Sequence, residues 1–106
     1  MANIVIANEK DFEEIIKSVD TVLVDFYATW CPPCKMLSPV LEKVAKKLDE
    51  NYLIVKVNVD ECEKIAKKFG IMSVPTMAFL YEGEERKRLV GYRQEKEIVD
   101  TITNLD

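Results

Sequence analysis

A chain of 106 residues has room for one core, so a single domain over residues 1–106 is expected, and with 48% hydrophobic and 32% charged residues it is neither fibrous nor disordered. A net charge of −4 argues against nucleic acid or an anionic membrane as the main partner. Three cysteines are too few for a disulfide-stapled secreted scaffold, and the residues from Met1 to Asn8 carry neither a basic leader nor an apolar run of signal-peptide length. No stretch approaches transmembrane length, and the expected location is the cytoplasm.

In chain order, Asn3 to Ala7 reads as a short strand, followed by Asn8 as a helix N-cap with Asp11 three positions on. Phe12, Ile15, Ile16 and Val19 fall at i, i+3, i+4 and i+7, which predicts a helix through Ser18. The β-branched run Thr21 to Tyr27 reads as a buried strand. A helix from Cys31 to Asp49 follows, with Met36, Leu37, Val40, Leu41, Val44, Ala45 and Leu48 inward and Pro39 predicting a kink or bend. Tyr52 to Asn58 alternates as a strand, and Asp60 with Glu63 resembles an acidic capping box. The helix it opens ends at Phe69, with Gly70 as its left-handed cap. Thr76 to Tyr81 and Arg86 to Gly91 flank Glu82-Gly83-Glu84-Glu85, a hairpin signature, and Gln94 to Asn104 closes the chain as a helix with Ile98, Ile102 and Leu105 inward. The order βαβαβαββα describes an α/β chain with a mixed central sheet flanked by helices. Strands joined through helices are expected to be parallel, and the final hairpin antiparallel.

Chemistry concentrates at Trp30-Cys31-Pro32-Pro33-Cys34, between a strand and a helix. Two cysteines separated by two residues can close a small disulfide ring and reopen it. Cys31 falls where the unpaired N–H groups of a helix start favour an anion, and the thiolate is the anion that attacks disulfides. Half of a zinc or iron–sulfur site is the competing reading, but the chain has no His and only one further Cys, so no metal is expected. Asp25 interrupts an apolar strand on the face of Leu23 and Tyr27, where burial raises a carboxyl pKa. It reads as a proton carrier or as a structural acid held by Lys56, whose alternation brings it to the same region. Cys62 shares an inward stripe with Ile65, Ala66 and Phe69, and Glu61 and Glu63 beside it disfavour its thiolate, so it reads as a core thiol.

Four segments extend the pattern: Val-Asp-Phe-Tyr-Ala-Thr-Trp-Cys-Pro-Pro-Cys-Lys (24 to 35), Val-Asn-Val-Asp (57 to 60), Phe-Gly-Ile-Met-Ser-Val-Pro-Thr (69 to 76) and Val-Gly-Tyr (90 to 92). In this order and spacing the chain resembles the thioredoxin family over essentially its whole length. The resemblance implies the thioredoxin fold and a monomeric dithiol–disulfide oxidoreductase without a bound cofactor, which reduces disulfides in other proteins and is itself re-reduced by a thioredoxin reductase. It implies that Cys31 is the exposed attacking thiol, that Cys34 is the buried resolving thiol, and that Val74-Pro75 is a cis peptide facing them. Asp25, with Lys56 near it, would exchange a proton with Cys34, while Trp30, Pro32, Pro33, Val74, Pro75, Gly91 and Tyr92 would form the docking surface. The family usually has Gly where this chain has Pro32, and Trp is common where it has Tyr27. Pro32 therefore keeps an oxidase, an isomerase or an extracytoplasmic reductant as alternatives, beside a binding subunit without turnover.

Overall fold

The computed structural model describes residues 1–105. The β-branched run becomes the central strand of a five-stranded sheet. The elements are β1 (Asn3–Ile6), α1 (Phe12–Ile16), β2 (Thr21–Tyr27), α2 (Pro32–Lys47), β3 (Tyr52–Asn58), α3 (Glu63–Lys68), β4 (Thr76–Tyr81), β5 (Glu84–Val90) and α4 (Glu95–Thr103). Spatial order is β1-β3-β2-β4-β5. β1, β3 and β2 are mutually parallel, whereas β4 runs antiparallel to β2 and β5 antiparallel to β4.

The antiparallel β4 corrects the expectation that strands joined through helices are parallel. The chain of residues 59–75 delivers β4 at the end of the sheet where β3 was left: Thr76 pairs with Phe26, near the end of β2, so β4 enters from the end where β2 and β3 finish. That end is where α2 begins.

Alternation along β2 divides the core in two. Val22, Val24 and Phe26 face Phe12, Ile16, Cys62 and Ile65 of the α1 and α3 side. Leu23 faces the other side, with Leu37, Leu41 and Val44 of α2 and Ile98 and Ile102 of α4. Phe69 closes the first cluster, its ring centroid 5.8 Å from that of Phe12 and 5.2 Å from that of Phe26.

Several element ends differ from their sequence signals. The Asn8 and Asp11 side chains do trade hydrogen bonds with each other's backbone N–H at 3.0 and 2.7 Å, but α1 stops at Ile16. There the Ser18 hydroxyl donates to the Ile15 carbonyl at 2.6 Å and tightens the exit. α2 continues through Pro39, which is exposed, and Met36, expected inward, is 59% exposed because the stripe of Leu37, Leu41 and Val44 turns it to the margin of the helix. The Asp60–Glu63 capping box does not form. Two N–H groups of the first turn of α3, those of Lys64 and Ile65, donate instead to Glu9 Oε1 at 2.8 and 3.3 Å, so a carboxylate brought in by the tertiary fold takes the capping role. Gly70, at φ +65°, closes α3 as expected, with its N–H on Lys67 and the Ile71 N–H on Ala66. The hairpin turn is tighter than its sequence suggests: only Glu82 and Gly83, both at positive φ, lie between the strands, and β5 starts at Glu84.

Candidate functional site

The start of α2 is built by its own sequence. Cys31 has extended backbone and is the N-cap, followed by Pro32 and Pro33 in the first two helical positions, where a missing N–H costs nothing. With both prolines lacking a donor, the first available N–H is that of Cys34, and it donates to Cys31 Sγ at 3.2 Å. The two cysteines form a disulfide with their Cα atoms 5.3 Å apart.

The expectation that Cys31 is exposed is corrected. It is 3% exposed and Cys34 6%, so the two differ little. Cys31 Sγ faces inward, 3.6 Å from the Val74 carbonyl oxygen, in a small cluster with Ala28, Cys34, Tyr27, Val59 and Val74. What stands in solvent is the rim: Trp30, Pro32, Pro33 and Tyr92 are exposed, and Met72 is 96% exposed. Pro75 is buried, while Val74 and Gly91 are half-buried.

The loop opposite the disulfide is held from both sides. Val74-Pro75 is cis, the Gly91 N–H donates to the Pro75 carbonyl at 2.8 Å, and the Thr76 hydroxyl donates to the Ser73 carbonyl at 2.8 Å. Gly91 sits at φ +92°, a conformation that favours glycine. Among the described residues the Val74 N–H has no hydrogen-bond partner. Across the site the Trp30 indole N–H donates to Asp60 Oδ2 at 2.9 Å, which fixes the exposed ring beside the disulfide. Asp60 thus serves Trp30 and not the α3 terminus.

Below the disulfide, β2 presents Asp25 between register partners Lys56 on β3 and Met77 on β4. Asp25 is buried, among the described residues its Oδ1 has no hydrogen-bond partner, and it forms no ion pair with Lys56. Burial pushes its pKa from 3.8 to about 7, with the nearby Lys56 charge pulling the other way. The Lys56 ammonium donates instead to the Ser38 hydroxyl at 2.7 Å and lies 4.8 Å from the centre of the Tyr27 ring. Tyr27, Ala28, Thr29, Cys34, Lys35, Ser38 and Lys56 line one cleft of about 210 Å³, which brings the second cysteine, Ser38 and Lys56 to a common wall. Burial raises the Tyr27 phenol above its ordinary pKa, helped by Glu61 and Asp25.

Asp60 and Ser38 are the site residues that the sequence did not single out. Ser38 follows Cys34 by four positions and so shares its helix face, a signal that was available. Asp60 lies 30 residues from Trp30, and only the fold joins them. Among the described residues no group of three or more metal-ligand side chains comes together, and no helix is long and apolar enough to cross a membrane.

The thioredoxin family's sequence profile matches residues 3–104. A thioredoxin of Rickettsia bellii is 41% identical over 97 residues, covering 91% of this chain and 92% of its relative. A protein of Mycobacterium leprae named bifunctional thioredoxin reductase/thioredoxin is 37% identical over 99 residues, which are 90% of this chain and 22% of that longer protein. Among solved structures, a point mutant of the thioredoxin from Halobacterium salinarum superimposes with a TM-score of 0.90 at 32% identity, covering 97% of this chain and 90% of that one.

Proposed function

We infer the division of labour within the site from one premise: the chain belongs to the thioredoxin family and is a thiol–disulfide oxidoreductase. In the reduced protein the Cys31 thiolate attacks one sulfur of a substrate protein's disulfide. The Cys31–substrate bond forms, the substrate's own S–S bond breaks, and the departing sulfur takes up a proton. Cys34 then passes its proton to the Asp25 carboxylate and attacks the Cys31 sulfur: the Cys31–Cys34 bond forms, the Cys31–substrate bond breaks, and the second substrate sulfur leaves as a thiolate that takes up a proton from solvent. An acid that titrates near neutrality suits that exchange, since it is present both with and without its proton at working pH. Lys56, register partner of Asp25, acts on the acid at a distance, its charge opposing in part the effect of burial.

The substrate docks over Trp30, Pro32, Pro33, Val74, Pro75, Gly91 and Tyr92. Support for this comes from the exposed rim around a buried disulfide and from the unpaired Val74 N–H, which can pair with an extended polypeptide by strand addition. The 106 residues act as one domain and as a monomer, on protein disulfides in the cytoplasm, without a bound cofactor. Neither nucleic acid nor a membrane is a partner, in keeping with the net charge of −4. Re-reduction falls to a thioredoxin reductase, and the joint name of the Mycobacterium leprae relative favours that donor.

One observation carries the reading: a two-cysteine ring capping α2 against the Val74 carbonyl. With dithiothreitol as donor the protein is expected to accelerate reduction of a two-chain, disulfide-linked protein, and Cys31→Ser to return the rate to background. Undiminished activity in Cys31→Ser would overturn the assignment.

A further inference from the structure

The ammonium of Lys56 is not where its position in the sheet would send it. Lys56 stands directly across the β2–β3 ladder from Asp25, on the same face, and Asp25 Oδ1 is buried without a partner. A cation beside such a carboxylate gains more from pairing with it than from a neutral hydroxyl. Nonetheless Lys56 Nζ donates to Ser38 Oγ at 2.7 Å, with the Tyr27 ring as its second neighbour at 4.8 Å. Ser38 reaches this point because it lies one helical turn beyond Cys34 on α2, with Cys34 and Lys56 in the wall of the same cleft.

We propose that Ser38 is a positioning residue, whose hydroxyl holds the Lys56 ammonium away from the Asp25 carboxylate and so keeps a proton on that acid. The groups around Asp25 leave Lys56 as the variable. β4 contributes apolar Met77 as register partner, and α4 contributes the apolar side chains Ile98 and Ile102 on that face of the sheet. β2 itself adds the Tyr27 phenol, and α2 adds Cys34, closed in the disulfide, with the exposed Lys35 at the cleft. Of these, only Lys56 is a cation in register with the acid and tethered by a bond that a single substitution removes. The raised pKa of Asp25, to about 7, accords with a cation held off the carboxylate.

The proposal deepens the reading of Asp25 as proton acceptor, and two readouts keep them apart. The first is the carboxyl titration of Asp25, followed by carbon NMR in the oxidised protein. Ser38→Ala frees Lys56 to close on the acid and is expected to lower the Asp25 midpoint by roughly one pH unit, the low end for an opposite charge brought within about 4–6 Å. Alanine is at least as good a helix former as serine, so α2 is retained. Ser38→Thr keeps the hydroxyl and is expected to hold the parent midpoint, and in a Lys56→Gln background Ser38→Ala is expected to shift nothing. An unchanged or raised midpoint in Ser38→Ala, or the same shift with and without Lys56, would overturn the proposal. The second readout is the pH profile of ring closure by Cys34 from a preformed Cys31 mixed disulfide. If Ser38→Ala moves the titration and the profile together, both readings stand. If only the titration moves, the hold of Ser38 on Lys56 stands and the role of Asp25 as acceptor falls.

Discussion

Two cysteines of this chain occupy the same formal position, the N-cap of a helix, and are set up for opposite chemistry. Cys31 caps the sixteen-residue α2, has no acidic residue in the first turn that follows, and receives the Cys34 N–H on its sulfur. Cys62 caps the six-residue α3 without any side-chain cap bond, and its sulfur lies 3.8 Å from the Ala7 carbonyl oxygen in the core. Burial pushes the Cys62 thiol up, and the charges of Glu9, Glu61 and Asp11 push it further. A helix start alone therefore does not make a nucleophile. An N–H aimed at the sulfur and a first helical turn without a carboxylate are what distinguish Cys31 from Cys62.

The largest effect expected from this contrast is kinetic. In the fully reduced protein at pH 7, iodoacetamide is expected to modify Cys31 tens of times faster than Cys62, roughly the ratio between a stabilised thiolate and a free thiol that is only a few per cent ionised. Peptide mapping over a time course gives both rates, and comparable rates would erase the distinction. Cys62→Ala is expected to leave disulfide-reductase turnover unchanged.

The next effect contrasts the two faces of β2, of which only the one bearing Asp25 carries an ionisable group. Its folded-state pKa of about 7 lies above the unfolded value of 3.8, so the neutral form is favoured in the native state. The resulting stability is fully present below pH 3.8 and is lost as pH rises to about 7, after which the loss is constant. At 1.36 kcal/mol per unit, the difference between Asp25→Asn and the parent is expected to grow in favour of the mutant by about 4 kcal/mol across that window. Denaturant unfolding at pH 4 and pH 8 measures it, and a pH-independent difference would refute it.

Smaller effects sharpen the comparison from each side. Glu9→Gln removes a carboxylate that both caps α3 and faces Cys62, and is expected to cost about 1 kcal/mol while lowering the Cys62 pKa, readable as faster alkylation. On the Cys31 side, Pro32→Gly restores a backbone N–H near the sulfur and loosens the open dithiol loop. The entropic part corresponds to a potential raised by roughly 10–20 mV, with a lower Cys31 pKa. Equilibration against a reference dithiol at one pH checks it, and a more reducing mutant would contradict it.

Much of this was legible in the sequence because period and punctuation coincide. The apolar run of β2, the Gly70 cap and the strand-to-helix position of Cys31 are local signals, and each appears where its residues predict. Asp25 was legible as an acid out of place, and its raised pKa follows from the apolar strand around it. The direction of β4 was not legible, because it depends on the end of the sheet to which residues 59–75 deliver the chain, which no local pattern encodes. Nor were the partners of Asp60 and Lys56: local spacing assigned Asp60 to a helix cap and Lys56 to Asp25, whereas tertiary packing gives them Trp30 and Ser38. Side-chain partners between distant segments are chosen by the fold, and no short-range pattern encodes them. The burial of Cys31 was not legible either: the family resemblance implied an exposed thiol, whereas Ala28, Tyr27, Val59 and Val74 pack around it.

The central claim is that Cys31 attacks and Cys34 resolves. Cys34→Ser leaves the attacking sulfur without its resolving partner, so incubation of the reduced variant with a disulfide-linked protein is expected to accumulate a covalent complex. Non-reducing digestion and mass spectrometry are predicted to find the substrate cysteine joined to Cys31. A complex joined through Cys62, or unimpeded turnover with no trapped complex, would contradict the account.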